Sequence, residues 1–346
     1  MASSRKTGTS ENVSTYDSAG GKDYSALTTW EQATDNDLVT ATQSEVLECY
    51  AGAHADGNLY VTGATISSSY MRIIRPASGE EHKGIPKTDG SCVEFHLSST
   101  AQYIFAIVEN YFKVQDIVTK INSSYNGGES TTFNIWVNAG YVEVVGCMAI
   151  DSDSDNKPHV GHYTGDMGNN PAYWINCMVM NITSVTSTGT GFFTWAADTD
   201  PDVYWYNCTA KDCANAAFSS SNPQCLAKNC ISQDNGSDFV TDGGGAITQT
   251  TCTSADTVTF RNEGSDDLHL ANTDTTANGQ GTDLSGDAIF AFDDDIDFKV
   301  RTTDWDIGFD QYSPHLDANS INLRTTAAKK NGTDTENIKK INGNNV

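Results

Sequence analysis

Hydrophobic and polar positions alternate in one short pattern that returns six times between residues 112 and 256. In the first five copies, the first, third and last of six residues are apolar. Alternation with a period of two is typical of a β-strand with one buried face. The copies occupy residues 112–117, 142–147, 172–177, 203–208, 225–230 and, most weakly, 247–252. Their last residues are 30, 30, 31, 22 and 22 positions apart, and repeats of this length predict a stacked architecture.

The alternation assigns side chains to the two faces of each predicted strand. The first and third positions point inward, which places Trp174 and Trp205 in the core. The second and fourth positions point outward, and in adjacent copies they include Tyr173, Tyr204 and Tyr206. An outward tyrosine patch suits contact with a neighbouring subunit or a covering loop, or stacking against a sugar ring. The enrichment of Tyr at interfaces favours the first interpretation.

Two columns of turn residues accompany the strands. The fifth position of each copy tolerates a left-handed bend, and a second turn column follows four residues after the copy. The two columns are Asp116, Gly146, Asn176, Asn207 and Asn229, and Asp151, Asn181, Asp212, Asp234 and Asp256. Because identical residues in such a fold stack ~4.8 Å apart, we expect the Asn side chains to hydrogen-bond to one another. Strand, bend, strand and loop in this order predict an all-β fold, a single-stranded parallel β-helix.

Cysteine recurs at the last position of the pattern, at Cys147, Cys177, Cys208, Cys230 and Cys252. The chain has nine cysteines, an odd number, and no two of them have CxxC spacing. Small residues at repeat spacing are typical of a buried ladder. A disulfide framework or a zinc site is the less favoured interpretation, because the ligand spacing of such sites is missing.

The segments on either side of the repeats differ from them. Residues 1–15 are polar and predict a flexible arm or attachment segment. Residues 23–33 predict an amphipathic helix, capped by Asp23 or Ser25, within an N-terminal cap at 16–65. Strands are predicted at 45–50, 59–61, 70–74, 93–97 and 104–108. The β-helix is assigned to 66–312 with a closing module at 260–312, and residues 313–346 are predicted to be a polar docking or oligomerisation tail.

Charge narrows the range of partners. The chain has 45 acidic and 20 basic residues, a formal net charge of −25. Such a surface repels nucleic acid and anionic membranes, so neither is an expected partner. No apolar run approaches the ~20 residues of a membrane span. The polar start has no apolar signal-peptide core, and Sec-type export is therefore not expected.

Several carboxylate groups are candidates for polysaccharide cleavage, which needs two carboxylates at a defined separation. They are Asp198, Asp200 and Asp202, then Asp234, Asp238 and Asp242, and the run 293–297. With so many acidic residues, turn formation and solubility explain these groups equally well, and no catalytic residue is assigned. Basic residues are sparse through the repeats, which also counts against a lyase.

Metal and cofactor sites have weaker support. Residues 151–156 and 198–202 have the alternating oxygens of a calcium loop but lack its full ligand set, so plain acidic loops are favoured. His159 and His162 are interpreted as surface histidines, because Pro158 and Gly161 indicate a loop. No phosphate-binding loop, nucleophile elbow or HExxH motif occurs. We therefore expect neither a metal nor a cofactor.

The closing segments resemble a known group of proteins. Asp-Asp-Leu-His-Leu at 266–270 and Trp-Asp-Ile-Gly-Phe-Asp-Gln-Tyr at 305–312 resemble the last coils of right-handed β-helix proteins common in phage and environmental sequences. The chain departs from that pattern at 272–277, where Asn-Thr-Asp-Thr-Thr-Ala replaces the usual Ser-Pro-Ala-Ile segment. Residues 22–52 also look like the leading segment of such proteins. The resemblance implies the right-handed form of the fold.

The end of the chain carries a further resemblance, because residues 335–343 are similar to short units near the ends of phage structural proteins. There Ile338, Ile341, Asn342 and Gly343 are the candidate attachment residues. Together the resemblances imply a bacteriophage virion protein: a surface fibre, tailspike or capsid decoration protein. Such proteins are often homotrimers that contact other virion proteins and host surface glycans. The alternative is a polysaccharide-degrading or polysaccharide-binding β-helix of the hydrolase or lyase type.

Overall fold

The computed structural model describes residues 10–55, 58–87, 89–97, 101–122, 130–136, 141–151, 159–165, 170–183, 189–195, 203–221, 224–243, 245–302 and 304–312. The chain divides into two compact units, Met1–Gln311 and Tyr312–Val346. The predicted tail, with Ile338, Ile341, Asn342 and Gly343, lies outside the described residues. All of the elements below belong to the first unit.

The described elements are short strands with two short helices near the start. The helices are α1 (Leu27–Ala33) and α2 (Leu38–Ala41), with a 3₁₀ turn at Glu263–Ser265. The strands are β1 (Glu11–Tyr16), β2 (Ser44–Cys49), β3 (Gly52–His54), β4 (Leu59–Val61), β5 (Arg72–Pro76), β6 (Val93–His96), β7 (Tyr103–Ile107), β8 (Phe112–Gln115), β9 (Val118–Ile121), β10 (Ser130–Ile135), β11 (Val142–Val145), β12 (Met148–Asp151), β13 (His159–Thr164), β14 (Ala172–Ile175), β15 (Met178–Met180), β16 (Thr190–Trp195), β17 (Val203–Tyr206), β18 (Thr209–Lys211), β19 (Ala216–Ser221), β20 (Gln224–Lys228), β21 (Ile231–Gln233), β22 (Phe239–Asp242), β23 (Ala246–Thr250), β24 (Phe260–Asn262) and β25 (Asp267–Leu270).

Three long parallel sheets contain all but the last two strands. The first sheet has the order β1-β2-β5-β8-β11-β14-β17-β20-β23. The second sheet runs from β3 through β6, β9, β12, β15 and β18 to β21, and the third from β4 through β7, β10, β13, β16 and β19 to β22. Consecutive strands thus step from the first sheet to the second, then to the third, and return to the first. This all-β topology confirms the predicted parallel stacking and is compatible with a β-helix.

The repeated pattern forms the rungs of the first sheet. Val144 pairs in register with Val114 on one side and with Trp174 on the other. Trp174 in turn pairs with Trp205, and both indoles are at most 1% exposed. The predicted inward column is therefore confirmed. Because these positions are in register from rung to rung, every copy of the pattern adds one layer to the same core.

The first turn column adopts the left-handed backbone at all five residues, and the second column adopts it at Asn181, Asp212 and Asp234 but not at Asp151 or Asp256. Asn176, Asn207 and Asn229 have φ of 52°, 53° and 52°. Asn207 Nδ2 donates to Asn176 Oδ1 at 3.2 Å, and Asn229 Nδ2 donates to Asn207 Oδ1 at 3.0 Å. The predicted Asn ladder is confirmed. In the second column, Asp212 and Asp234 both have φ of 55°.

The cysteine ladder is part of the hydrophobic core. All nine cysteines are free thiols, and all except the half-buried Cys252 are buried. Burial raises the pKa of the Cys208 thiol well above its ordinary value, as it does for Cys230. The neutral thiols donate weak hydrogen bonds to carbonyl oxygens of the neighbouring rung, as Cys208 Sγ does to Trp174 O at 3.2 Å. The predicted buried ladder is confirmed.

His159 and His162 are not surface residues, and the prediction that they lie in a loop is wrong. They belong to β13 and are at most 1% exposed. The His162 ring stacks on Trp174 with centroids 4.5 Å apart. Burial lowers the pKa of His162 to about 3, so the ring is a neutral core aromatic. Gly161 does not break the strand, because its missing Cβ admits Val179 and the Gly191 backbone.

The N-terminal segment is more ordered than predicted where the structure describes it. The sequence predicts a flexible arm or attachment segment over residues 1–15, but residues 11–15 lie in β1, which pairs in parallel with β2. The helix starts at Leu27 and its N-cap Ala26 makes no side-chain capping bond. The proposed caps Asp23 and Ser25 are therefore wrong, since Asp23 accepts hydrogen bonds from Thr15 N and Oγ1 instead.

Candidate functional site

A later part of the same chain covers the predicted tyrosine patch. Tyr204 is 9% exposed and Tyr206 is fully buried. The cover consists of Leu284, Phe292 and Trp305, with Phe290 at its margin. The half-buried Tyr173 stacks on Tyr204 with centroids 5.0 Å apart, and Phe290 lies at the same distance from Tyr173. A covering loop, one of the three expected occupants, therefore occupies this face, and Tyr204 and Tyr206 are not available to a glycan.

The Asn ladder holds this cover in place. Asn229 Nδ2 donates to Thr282 O at 2.8 Å, and Asn229 Oδ1 accepts from Thr282 N at 2.8 Å. At another rung, Asn176 Nδ2 donates to Asp294 O at 3.1 Å. The amides thus bond both along the stack and outward to residues 282–294. The bends of the first sheet and the closing module form one hydrogen-bonded assembly.

The acidic run 293–297 builds turns in this module. Asp295 is fully buried and accepts hydrogen bonds from Asp297 N and Lys299 N through Oδ1. Burial raises the pKa of Asp295 to about 6. Asp293 and Asp294 are also buried. A carboxylate that is fixed by backbone N–H groups in a turn has a structural role, so this run is not an exposed catalytic pair.

The other carboxylate candidates have different outcomes. Asp198, Asp200 and Asp202 lie outside the described residues, as do 152–156 of the predicted calcium loop and the side chain of Asp242. Asp234 pairs with Lys211 at 2.7 Å, and Asp238 accepts from Ser232 at 2.6 Å. Asp151 is buried and its carboxylate lies 2.6 Å from His159 Nδ1. The described members are therefore partners in local polar contacts.

Sequence reasoning missed a polar cluster around His269. His269 Nδ1 lies 2.5 Å from Asp267 Oδ1, and Nε2 lies 3.3 Å from Asp297 Oδ1. Asp310 completes a set of His269, Asp297 and Asp310 whose donor atoms all lie within 4.8 Å of one another, a set that could hold a cation. Because both ring nitrogens already face carboxylates, we interpret this group as an ion triad of His269 with Asp267 and Asp297. In the sequence, the indication of this cluster was the presence of Asp267 and Asp310 in the two closing motifs. These motifs come together only in the folded chain.

His269 is expected to make stability depend on pH. Burial opposes its charge, but hydrogen bonds to Asp267 and Asp297 outweigh burial and raise its pKa to about 10. A raised pKa stabilises the fold fully below pH 6.5, and the contribution is lost as pH rises through about 10. His269→Gln should therefore lower the free energy of unfolding by ~3 kcal/mol at pH 6 and by ~1 kcal/mol or less at pH 10.5. Urea unfolding at both pH values measures this difference, and an equal loss at both would contradict it.

An acidic cleft of about 530 Å³ lies between the first sheet and the closing module. Its lining includes Gln115 and Asp116, at the end of β8. Glu48, Arg75 and Phe298 also line it. Gln115 is 2% exposed, and its Nε2 has no hydrogen-bond partner in the described part of the chain. A buried amide nitrogen without a partner is costly, and Gln115 is the residue of the cleft lining with this feature.

A second exposed feature lies on the outside of the third sheet. Trp136 follows β10 and is 50% exposed, and Trp195 ends β16 and is 43% exposed. On the same face, the half-buried Tyr163 of β13 and Phe193 of β16 pair in register, with ring centroids 5.6 Å apart. We call these four residues the outer aromatic surface. The alternation rule could have found it, since Phe133-Asn-Ile-Trp136 and Phe192-Phe-Thr-Trp195 share one pattern.

Comparison with known proteins adds no assignment to these features. No family model, no curated protein and no solved structure matches this chain. In the part of the chain that the structure describes, no helix is long and apolar enough to cross a membrane. Function must therefore be argued from the fold and from the three features above: the covered tyrosine column, the acidic cleft and the outer aromatic surface.

Proposed function

We propose that this protein is a structural protein of a bacteriophage virion, a surface fibre, tailspike or capsid decoration protein built on a right-handed parallel β-helix. The observation that carries the proposal is the ladder of nine parallel strands that runs from β1 to β23. Because each rung bonds to the next along its backbone, the nine strands form one continuous hydrogen-bonded ladder. A continuous ladder of this kind suits a part that bears load on a particle.

The interior chemistry of the strand ladder supports a structural role. Eight of the nine thiols are buried, and the bend amides are used in the Asn ladder. A net charge of −25 keeps the exposed sheet edges of separate molecules apart. The closing module has the sequence pattern that resembles the last coils of phage-type β-helices. In this proposal the protein is assembled in the host cytoplasm and displayed on the surface of the particle.

The proposed assembly is a homotrimer attached to other virion proteins through the C-terminal tail. Sedimentation equilibrium of the purified chain should give three times the 37.2 kDa of one chain. Replacing both Ile338 and Ile341 with Asp should shift the mass toward 37.2 kDa, because the proposed docking segment loses its apolar residues. Thr333→Asp is the matched control, and its mass should stay trimeric. A wild-type chain of 37.2 kDa would contradict the trimer.

Contact with bacterial surface polysaccharide is a second proposed function, and the outer aromatic surface favours it. Exposed aromatic rings spaced along a sheet can stack against successive sugars. Trp136→Ala combined with Trp195→Ala should weaken binding to host capsule or lipopolysaccharide about tenfold, or ~1.4 kcal/mol. Ile289→Ala, at an exposed apolar residue of the closing module, should leave binding unchanged. Equal binding by all three proteins would remove this function.

The same polysaccharide preparation separates binding from cleavage. Release of oligosaccharide would favour the hydrolase or lyase alternative, which requires a carboxylate pair ~5–10 Å apart. The structural proposal predicts that the polysaccharide keeps its length after incubation with the protein. Size-exclusion chromatography of the polysaccharide measures this, with boiled protein as the control.

A further inference from the structure

We propose that the free edge of strand β23 is a docking site for an extended segment of a partner protein, which joins the first sheet as one more strand. The segment that fits is basic and carries apolar residues at alternate positions. β23 ends the nine-stranded sheet, and in the described part of the chain it pairs with β20 alone. The proposed tail attachment and polysaccharide contact use other residues, so this edge is a further interaction surface.

The backbone of β23 has hydrogen-bonding groups that no described residue satisfies. Asn229 N, one rung earlier, donates to Thr250 O at 3.1 Å. Because the N–H and C=O groups of successive residues alternate in direction along a strand, Thr248 and Thr250 face β20, whereas Ile247 and Gln249 face the open edge. The backbone groups of Ile247 and Gln249 bond to no residue beyond that edge in the described part of the chain. A row of such groups is what a further strand pairs with.

The hydrophobic core is also less covered at this edge than at the start of the stack. Ile247 and Cys252 occupy the positions that Cys225 and Cys230 have one rung earlier. Cys225 and Cys230 are at most 3% exposed, whereas Ile247 and Cys252 are half-buried. At the start of the stack, helix α1 packs beside β4 and buries Trp30 fully in the same core. Because a stacked fold needs a cover at each end, a strand with alternate apolar residues suits the β23 end.

Charge favours a partner protein over a second copy of this chain. Strands that stay unpaired at a sheet edge usually carry Lys or Pro, which prevent pairing. Residues 243–255, which include β23, contain no charged residue and no proline. Each copy of the chain has a formal net charge of −25, so two copies repel one another. The same charge attracts a basic segment, and the uncharged edge lets that segment reach the backbone of β23.

Fluorescence anisotropy with the full chain tests this edge. The probe is a fluorescein-labelled peptide, Lys-Gln-Val-Leu-Ala-Lys-Asn-Val-Ile-Lys, which copies β20 and its bend with Val in place of Cys and a Lys at each end. One control has the same residues in scrambled order, and another has N-methyl groups on Leu and the central Lys, whose N–H groups would face β23. We expect one probe per chain at about 150 mM NaCl, and about tenfold weaker binding of both controls. No binding of the probe, or equal binding of all three peptides, overturns the proposal.

Two variants of the protein locate the peptide on β23. Gln249→Pro removes an N–H group that faces the open edge and keeps the bonds between β23 and β20, so it should weaken binding of the probe about tenfold. Thr248→Val is the matched control, because the Thr248 backbone faces β20, and it should change affinity less than about twofold. The N-methylated peptide tests the same bonds without any change in the protein, should Gln249→Pro fail to fold.

The mass of the peptide-free protein distinguishes this edge from the proposed oligomer. Sedimentation equilibrium of Gln249→Pro should give the wild-type mass, because the edge is not used between copies of the chain. A lower mass would assign the edge to a second copy and overturn the proposal, as would unchanged peptide affinity in folded Gln249→Pro. A wild-type chain that is not trimeric would count against the proposed virion assembly and leave the peptide result as it stands.

Discussion

Replacing Arg72 with Met is expected to lower the free energy of unfolding by about 3–5 kcal/mol. Arg72 is fully buried, and its Nε donates to Glu109 Oε1 at 2.8 Å while Nη2 pairs with the other oxygen. Nη1 donates to Glu31 O at 3.0 Å, and Nη2 donates to Thr62 O at 2.8 Å. The substitution leaves Glu109 buried without its cation and frees helix α1 from the strands beneath it.

Arg75 provides a matched control on the same strand. Its guanidinium pairs with Glu11 and Glu48, but its side chain is 22% exposed. Arg75→Met should therefore lower the free energy of unfolding by about 1 kcal/mol or less, since ion pairs that solvent reaches contribute little to stability. Urea unfolding followed by far-ultraviolet circular dichroism measures both variants. Equal losses for Arg72→Met and Arg75→Met would contradict the assigned role of the buried pair.

Replacing Arg301 with Met should detach the closing module from the tyrosine column. Arg301 is 4% exposed, and its guanidinium donates to main-chain oxygens. The acceptors are Asp294 O, Asp306 O, Gly308 O and Asp310 O, at 3.3, 3.3, 2.9 and 3.2 Å. Because the lost guanidinium donates to four carbonyl oxygens, the substitution should lower the free energy of unfolding by about 3–5 kcal/mol. We expect exposure of Trp305 and Tyr206, seen as a red shift in tryptophan fluorescence and as faster proteolysis within 270–312.

Lys299 supplies the control for this second substitution. It pairs with Asp297 at 2.8 Å, but its side chain is 45% exposed. Lys299→Met should change stability by about 1 kcal/mol or less and leave the fluorescence of Trp305 unchanged. If Arg301→Met keeps native fluorescence and protease resistance, the module does not depend on the guanidinium as described.

The repeats allowed most of the stacked body to be predicted, because their information is local. Each copy carries its own alternation and its own bend residue, so columns such as Trp174 with Trp205 and Asn176 with Asn207 follow from spacing alone. The Cys ladder follows for the same reason. Residues 11–15 were missed because strand β1 has few apolar residues and is stabilised by its pairing with β2.

The candidate sites were harder to predict because they join residues far apart in the chain. Tyr206 was assigned correctly to an outward column, but its cover starts with Leu284, 78 residues later. No residue near Tyr206 in the sequence indicates its contact with Leu284. The His269 cluster likewise joins Asp267 to Asp297 and Asp310 through the fold alone. The prediction for His162 is wrong because Pro158 and Gly161 indicate a loop, whereas Gly161 lies inside strand β13 and the neutral His162 ring is buried.

Mass spectrometry of phage particles that encode this chain, purified on a density gradient, tests the central proposal most directly. The proposal predicts peptides of this chain in the particle band, in a copy number that is a multiple of three. Washing at high salt should leave them there, because a built-in virion component is held by more than surface charge. A chain found only in the soluble fraction, absent from washed particles, would contradict a virion structural role.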